Sequence, residues 1–354
     1  MGGGKWIAEN PEHETRGFHV NALDSQTTWE ELMKKWAEAQ KASKAGDNSK
    51  LITFVNTILA ETWEERGEAV ESHILETRRE VYNAPLPDGV CILTMGVDVQ
   101  DNRLAYEIVG WGLGFESWGI EYSEIFGDPR QGEVWNSLDL LLAKAWTYGN
   151  GKRIQIKRVA VDTGGHMTPQ VYAYCKARQT RGVYPIKGQG GDRIPLTRPS
   201  SNKGRERGLF IVGVDGIKSD IVSWLKVKQA GNGYCHFPKD NDGIAINGYS
   251  ADYFEMLTSE KRIPIRDKKG FLRYEWHKPA GKRNEGFDCR VYARAALRIL
   301  SQNDDMMLKR IYVAEPWASA STANESGGNI VTPTKNKKTL GNKNQRAREN
   351  GIYL

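Results

Sequence analysis

The chain has 354 residues, 50 Lys+Arg against 44 Asp+Glu for a formal net charge of +6, and a mean hydropathy of -0.59. This length supports one large or two ordinary domains around a core that needs no disulfide staples. No stretch approaches the roughly 20 uninterrupted apolar residues of a membrane helix, and no apolar run follows Met1-Gly2-Gly3-Gly4 as a secretory signal would require.

Residues 27–44 read as an amphipathic helix, with a Thr28/Glu31 capping box and Trp29, Leu32, Met33 and Trp36 on one inward face. A second helix is expected from Ser49 to about Trp63, followed over 61–80 by an acidic stretch that reads as a linker or an exposed helix, with Pro85 and Pro87 at the boundary. Beyond Pro87 the pattern turns to β. Val90–Val97 is a buried apolar run, Arg103–Trp111 and Glu116–Phe126 are strands, and Gly112-Leu113-Gly114 is the turn between them. A helix over about 132–146 precedes a strand ending at Asp162. Thr168 and Pro169 read as the N-cap and first residue of the next helix. Strands over 182–187 and 209–214 follow, then a last strong helix from about Asn284 to Leu300. Three hairpin-linked strands and then strands reached through helices predict a mixed α/β sheet flanked by helices. The expected organisation is a helical N-terminal segment over 1–87, a domain over 88–302, and a flexible basic tail over 303–354.

The charge is unevenly placed. Residues 1–80 hold ten bases against fifteen acids, whereas 176–207 and 261–283 each hold nine bases against two acids. Lys335 to Arg348 adds six bases and no acid. Two basic blocks inside a folded body suit a polyanion partner. Cys91, Cys175, Cys235 and Cys289 form no Cys-x-x-Cys pair and no His-x-x-x-His occurs, so zinc and thioredoxin chemistry are not expected and the cysteines read as free thiols.

Three aspartates stand where phosphodiester hydrolysis needs them. Asp98 ends the first strand, Asp162 ends the fourth, and Asp288 opens the last helix. If those two strands are neighbours, both carboxylates emerge at one edge, and a helix across the sheet brings up the third. Converging carboxylates repel unless a cation lies among them. Hard oxygen donors select Mg²⁺ or Mn²⁺, and two such ions suit in-line displacement at phosphorus. Asp101, Glu285 and His166 are candidate auxiliary groups. Val212-Gly213-Val214-Asp215 nearly copies Met95-Gly96-Val97-Asp98, but a helical pattern follows it at once, so Asp215 reads as an N-cap.

Gly96-Val97-Asp98-Val99-Gln100, Asp162-Thr163-Gly164-Gly165-His166 and Asn284-Glu285-Gly286-Phe287-Asp288-Cys289-Arg290 resemble the nuclease motifs of the lambda-type large terminase subunits of tailed bacteriophages. Asn10-Pro11, Arg16-Gly17-Phe18-His19, Phe54-Val55-Asn56-Thr57 and Glu61-Thr62-Trp63-Glu64-Glu65 resemble the segment that follows the ATPase in that family. The resemblance implies an RNase H-like nuclease fold with Asp98, Asp162 and Asp288 as ligands of two Mg²⁺ or Mn²⁺ ions, Asp98 bridging. It also implies cutting of concatemeric viral DNA in the host cytoplasm. The implied partners are double-stranded DNA, a small terminase subunit, the packaging ATPase domain of the same subunit, and the portal, reached through the C-terminal tail. No Gly-x-x-x-x-Gly-Lys-Ser/Thr loop is present. The expectation is therefore a chain without ATP hydrolysis, beginning after the ATPase or split from it.

For DNA, a hairpin with a basic tip is expected around Arg266, Lys268, Lys269 and Arg273, and a basic, glycine-rich loop around Lys187 and Arg193. Both would hold phosphates rather than read bases, giving steeply salt-dependent affinity. Two other readings stay open: an RNase H-like resolvase or transposase nuclease, and a non-catalytic docking module for portal or DNA.

Overall fold

The computed structural model describes residues 27–44, 49–61, 70–191, 193–201, 208–266 and 272–315. Its two compact units are residues 1–71 with 255–284, and residues 72–254 with 285–354.

The first unit opens with α1 (Trp29–Lys44) and α2 (Ser49–Thr53), which runs into a π-helical turn at Phe54–Ile58. Thr28 Oγ1 accepts the Glu31 N–H at 3.3 Å, one half of the expected capping box. The expected inward face of α1 is corrected: Leu32 and Ala39 are buried, but Trp29 is 68% and Met33 58% exposed. Among the described residues α2 and its π-helical turn cover a line of α1 residues seven apart, and Trp36 reaches that turn by packing its ring 5.1 Å from that of Phe54. The expected helix to Trp63 is also shorter, because the α pattern stops at Thr53.

The second unit begins with α3 (Ser72–Thr77) and β1 (Glu80–Val81), then forms the antiparallel set β2 (Ile92–Val99), β3 (Arg103–Trp111) and β4 (Ser117–Phe126). After β3 the chain turns through Leu113–Phe115, with Gly114 at φ 60°. The helix α4 (Gly132–Ala143) ends before Trp146, because Lys144 is extended. A small pair, β5 (Trp146–Thr147) and β6 (Arg153–Ile154), leads to β7 (Ile156–Asp162), α5 (Thr168–Arg178) and β8 (Val183–Gln189). Then come β9 (Thr197–Pro199), β10 (Phe210–Gly213), α6 (Val214–Leu225), β11 (Cys235–His236), β12 (Pro238–Lys239) and α7 (Ala251–Leu257). In the first unit again, β13 (Lys261–Arg266) pairs antiparallel with β14 (Leu272–His277). The chain returns to the second unit as α8 (Glu285–Leu300) and α9 (Asp304–Ala314). The residues just past 302, read above as the start of a flexible tail, are thus helical: Asp304, 2% exposed, ties α9 to Arg294 and Arg298 at 2.7 and 2.8 Å. Residues 316–354 lie outside the described residues.

The eight-stranded sheet runs β11-β4-β3-β2-β7-β8-β10-β9. From β2 through β7 and β8 to β10 every pairing is parallel. The strand β2 is buried along its whole length because both faces are covered. Leu93, Met95 and Val97 pack in the cluster containing α4 and α5 residues such as Trp135, Leu138 and Val171. The alternate residues face α8, with Ile92 in the cluster of Ala293 and Leu297. All four cysteines are buried and free, and among the described residues no helix is long and apolar enough to cross a membrane.

At the sheet edge, His236 Nδ1 lies 2.6 Å from Glu80 and Nε2 2.9 Å from Glu116, with the ring stacked 4.8 Å from Trp118. Burial pulls this imidazole down, but the hydrogen bonds and charges of Glu116 and Glu80 outweigh it and hold the pKa above the ordinary 6.5. A raised histidine contributes stability in full below about 6.5, and loses it as pH climbs through the higher folded value. The thermal midpoint should therefore fall with rising pH in that window. His236→Gln should flatten the slope in a pH series of thermal melts; an unchanged slope would remove His236 as its cause.

Candidate active site

Val97 of β2 pairs with Val161 of the parallel strand β7, so the next residues, Asp98 and Asp162, leave neighbouring strands side by side. The condition on which the sequence argument rested, adjacency of these strands, is met. Gly96 pairs with Ala160 two residues earlier, and strand alternation sends Gly96, Asp98, Ala160 and Asp162 to the face covered by α8. There α8 comes so close that a Cβ on Gly96 would lie 2.0 Å from the Cys289 carbonyl oxygen. Asp288, in the first turn of α8, is thereby carried to the same edge.

Asp98 is 7% exposed and accepts a 2.5 Å hydrogen bond from Gln100 Nε2 on Oδ2. Asp162 accepts the Gly164 N–H at 3.1 Å. Burial, and then the charge of Asp98, push the Asp162 carboxyl up to about 6, against the smaller opposing effect of the Gly164 and Thr163 N–H groups. Tyr292, one turn beyond Asp288, has its hydroxyl pushed well up by burial and then by Asp288, Asp162 and Asp98, so all three carboxylates bear on one phenol. Lys218 Nζ of α6 lies 3.8 Å from Asp288 Oδ1 and 5.4 Å from the centre of the Phe287 ring.

Among the described residues no group of three His, Cys, Asp or Glu side chains is drawn together tightly enough to hold a metal ion as it stands. The donor set nevertheless fits a hard dication. Two adjacent, shielded carboxylates penalise each other's ionisation, and a divalent ion reverses the sign of that interaction.

Asp101 and His166 follow β2 and β7 and meet each other at 3.3 Å, both exposed. Glu285, the second candidate auxiliary ligand, is engaged by Arg103 at 2.7 Å. Lys187 is exposed on β8; it follows Ile186, the partner of Asp162, so it projects to the opposite face from that carboxylate. Arg193 is exposed at φ 63° in the loop after β8. Arg266 ends β13, and Arg273 is exposed on β14, in the first unit. Lys268 and Lys269 lie outside the described residues.

Two local assignments are corrected. Asp215 is not the N-cap of α6: Gly213 holds that position, and Asp215 Oδ2 accepts the Gly191 N–H at 2.8 Å, holding the preceding loop. Thr168 sits one residue inside α5, after Met167, and its hydroxyl donates to the Thr163 and Gly165 carbonyls at 2.8 and 2.9 Å. It therefore braces the loop that follows Asp162. The sequence reading missed Lys218 and Gln100. A signal existed for Lys218, which interrupts the line Val214, Ile221, Leu225 on the buried side of α6.

An antiparallel triplet extended by parallel strands, with acidic residues at the strand ends and a helix packed across them, is the RNase H-like mixed sheet that the motifs implied. Residues 15–308 match the family described as terminase large subunit gpA, endonuclease domain, and the chain belongs to that family. It is 34% identical over 301 residues to the large terminase subunit of Escherichia phage lambda, covering 82% of this chain and 44% of that protein. It is 31% identical over 328 residues to that of Enterobacteria phage P21, covering 84% and 49%. The chain thus spans about half the length of these relatives. Among solved structures it is similar to the nuclease domain of the large terminase subunit gp2 of bacterial virus Sf6 with manganese. That match has 12% identity, a TM-score of 0.40, and covers 64% of this chain and 98% of that one. The large terminase nuclease of thermophilic phage G20c with bound magnesium matches at 13% identity and a TM-score of 0.35, covering 64% and 95%.

Proposed function

We propose that this chain is a divalent-metal-dependent endodeoxyribonuclease that cuts concatemeric viral DNA during genome packaging, with Asp98, Asp162 and Asp288 as ligands of two Mg²⁺ or Mn²⁺ ions. The observation that carries the reading is the register of β2 on β7, which sets Asp98 beside Asp162 under the helix bearing Asp288. Bound ions would supply an activated water and charge stabilisation at the leaving oxygen. The chain's own groups orient the donors: Gln100 fixes one oxygen of Asp98, the Gly164 N–H fixes Asp162, and Lys218 offsets the charge of Asp288.

In this reading residues 88–302 together with the packed helix α9 form the nuclease domain, 1–87 a helical linker from the packaging ATPase of the same subunit whose end, from Ser72 on, belongs to the compact unit of the sheet, and the segment after Glu315 the basic tail. Duplex DNA lies against the basic blocks around Lys187 and Arg193 and around Arg266, Lys268, Lys269 and Arg273. The small terminase subunit and the portal complete the assembly in the host cytoplasm, the portal through the tail.

The test is direct. Purified chain should convert supercoiled plasmid to nicked circles only with Mg²⁺ or Mn²⁺, chelator should stop it, and calorimetry should detect Mn²⁺ uptake near millimolar concentration. No uptake and no nicking would favour the docking module; strong preference for branched over plain duplex DNA would favour a resolvase.

A further inference from the structure

The helix α8 has an unusual way of being seated. Apolar packing and the close approach at Gly96 hold it down on the sheet, but neither stops it from sliding along its axis. Two ion pairs between β3 and α8 do. Arg103 reaches Glu285 at 2.7 Å and Glu124 at 3.1 Å. Four residues along the same face of β3, Glu107 Oε1 accepts from Arg290 Nη1 at 2.6 Å. The polarity is crossed: base on the strand and acid on the helix at one point, acid on the strand and base on the helix at the other. A slid helix would therefore leave charges buried without their partners, which costs several kcal/mol per ion. Asp288 lies between the two pegs, three residues after Glu285 and two before Arg290.

The inner pair is poorly arranged for stability. Glu107 and Arg290 are 0% and 1% exposed, so both charges are fully desolvated. Arg290 also donates to Tyr253 Oη at 3.1 Å and Ser117 Oγ at 3.3 Å. The Tyr249 and Tyr253 hydroxyls, at 3.1 and 2.8 Å, crowd onto the Oε1 that Arg290 already occupies, while Glu107 Oε2 has no hydrogen-bond partner among the described residues. Pairs of this kind contribute little over an apolar replacement of equal volume, and their attested use is to fix register.

We infer that the buried Glu107–Arg290 pair, with Arg103–Glu285 as its outer companion, is a positioning device that sets the axial place of α8 and so brings Asp288 to the metal site. The inference rests on the reading of Asp288 as a metal ligand. It also gives Glu285 a different task from the auxiliary ligand expected from sequence: it anchors the helix.

The test replaces the pair without stranding a charge, as Glu107→Leu with Arg290→Met, and compares it with parent and with Asp288→Asn. The double variant should unfold cooperatively, at a midpoint lowered by the Tyr249 and Tyr253 hydroxyls that lose their acceptor, and need about tenfold more Mn²⁺ for half-maximal plasmid nicking, the range expected when a supporting partner of a metal ligand is lost. Raising Mn²⁺ should restore its rate. A folded double variant with the parental Mn²⁺ requirement overturns the inference. Should it not fold, Arg290→Lys keeps the charge but loses the planar fork, and must show the same rightward shift; a parental requirement there overturns the inference equally. Asp288→Asn separates the two levels. If it cuts with the parental Mn²⁺ requirement, the ligand reading itself fails. If it is inactive while the pair variants behave as parent, only the positioning role fails.

Discussion

Asp98→Asn should abolish metal-dependent cutting and leave the fold at least as stable as before. The substitution keeps the shape of a side chain that is 7% exposed and can still accept from Gln100. What it removes is one negative charge at the centre of the proposed donor set. A loss of at least about 10³-fold in nicking is expected, equivalent to about 4 kcal/mol of barrier. Stability should move the other way. The Asp162 carboxyl stands at about 6 because of burial first and the Asp98 charge second, so removing that charge lets Asp162 ionise more easily. A carboxylate raised in the folded state contributes stability below its unfolded value near 4, and loses it as pH rises through about 6. The metal-free parent should therefore lose stability across that window, and Asp98→Asn should lose less. Plasmid nicking and metal-free thermal melts over pH 4 to 7 read both effects. Undiminished cutting would remove Asp98 from the mechanism. Lost cutting with lost stability would mark it as structural.

What the sequence disclosed and what it hid divide along a physical line. Strands were legible where burial on both faces leaves a continuous apolar run, as in β2, and the bounds of β3 agree residue for residue with the expected Arg103–Trp111. Asp98 and Asp162 were visible as strand-end acids, but whether they meet depends on β2 pairing with β7, and no local pattern encodes that pairing. The face of α1 was misjudged because helical periodicity says which side is apolar, not how much of it a partner covers. Asp215 looked like a cap because a helix follows it, yet the competing donor was Gly191, 24 residues away in sequence. Lys218 was not singled out, although it lies on the inward side of α6, because only the tertiary fold supplies its acidic neighbour. The pegs Arg103–Glu285 and Glu107–Arg290 were hidden for the same reason: each joins residues more than 180 positions apart.

Gly96→Ala should be the most disruptive small substitution in the sheet. A Cβ there would lie 2.0 Å from the Cys289 carbonyl oxygen, 2.6 Å from the Ala293 nitrogen and 2.8 Å from the Tyr292 Cβ. Two of those are backbone atoms of α8, which cannot rotate aside as a flexible side chain would. The helix must lift, and overpacking of this kind costs about 1–3 kcal/mol or more. For a domain of this size, a loss of about 3 kcal/mol lowers the midpoint by roughly 6–12 °C. Lifting α8 also carries Asp288 away from Asp98 and Asp162, so the Mn²⁺ requirement for nicking should rise together with the loss of stability. Gly132→Ala is the control, because nothing lies within 4 Å of its Cβ and it opens the exposed start of α4. It should leave Mn²⁺ dependence untouched and raise stability by up to about 1 kcal/mol. If Gly96→Ala melts with the parent, α8 does not rest on β2 by its backbone, and the placement of Asp288 over the strand ends fails with it. If it melts early but binds Mn²⁺ as the parent does, then α8 is packed as described and Asp288 is not a ligand.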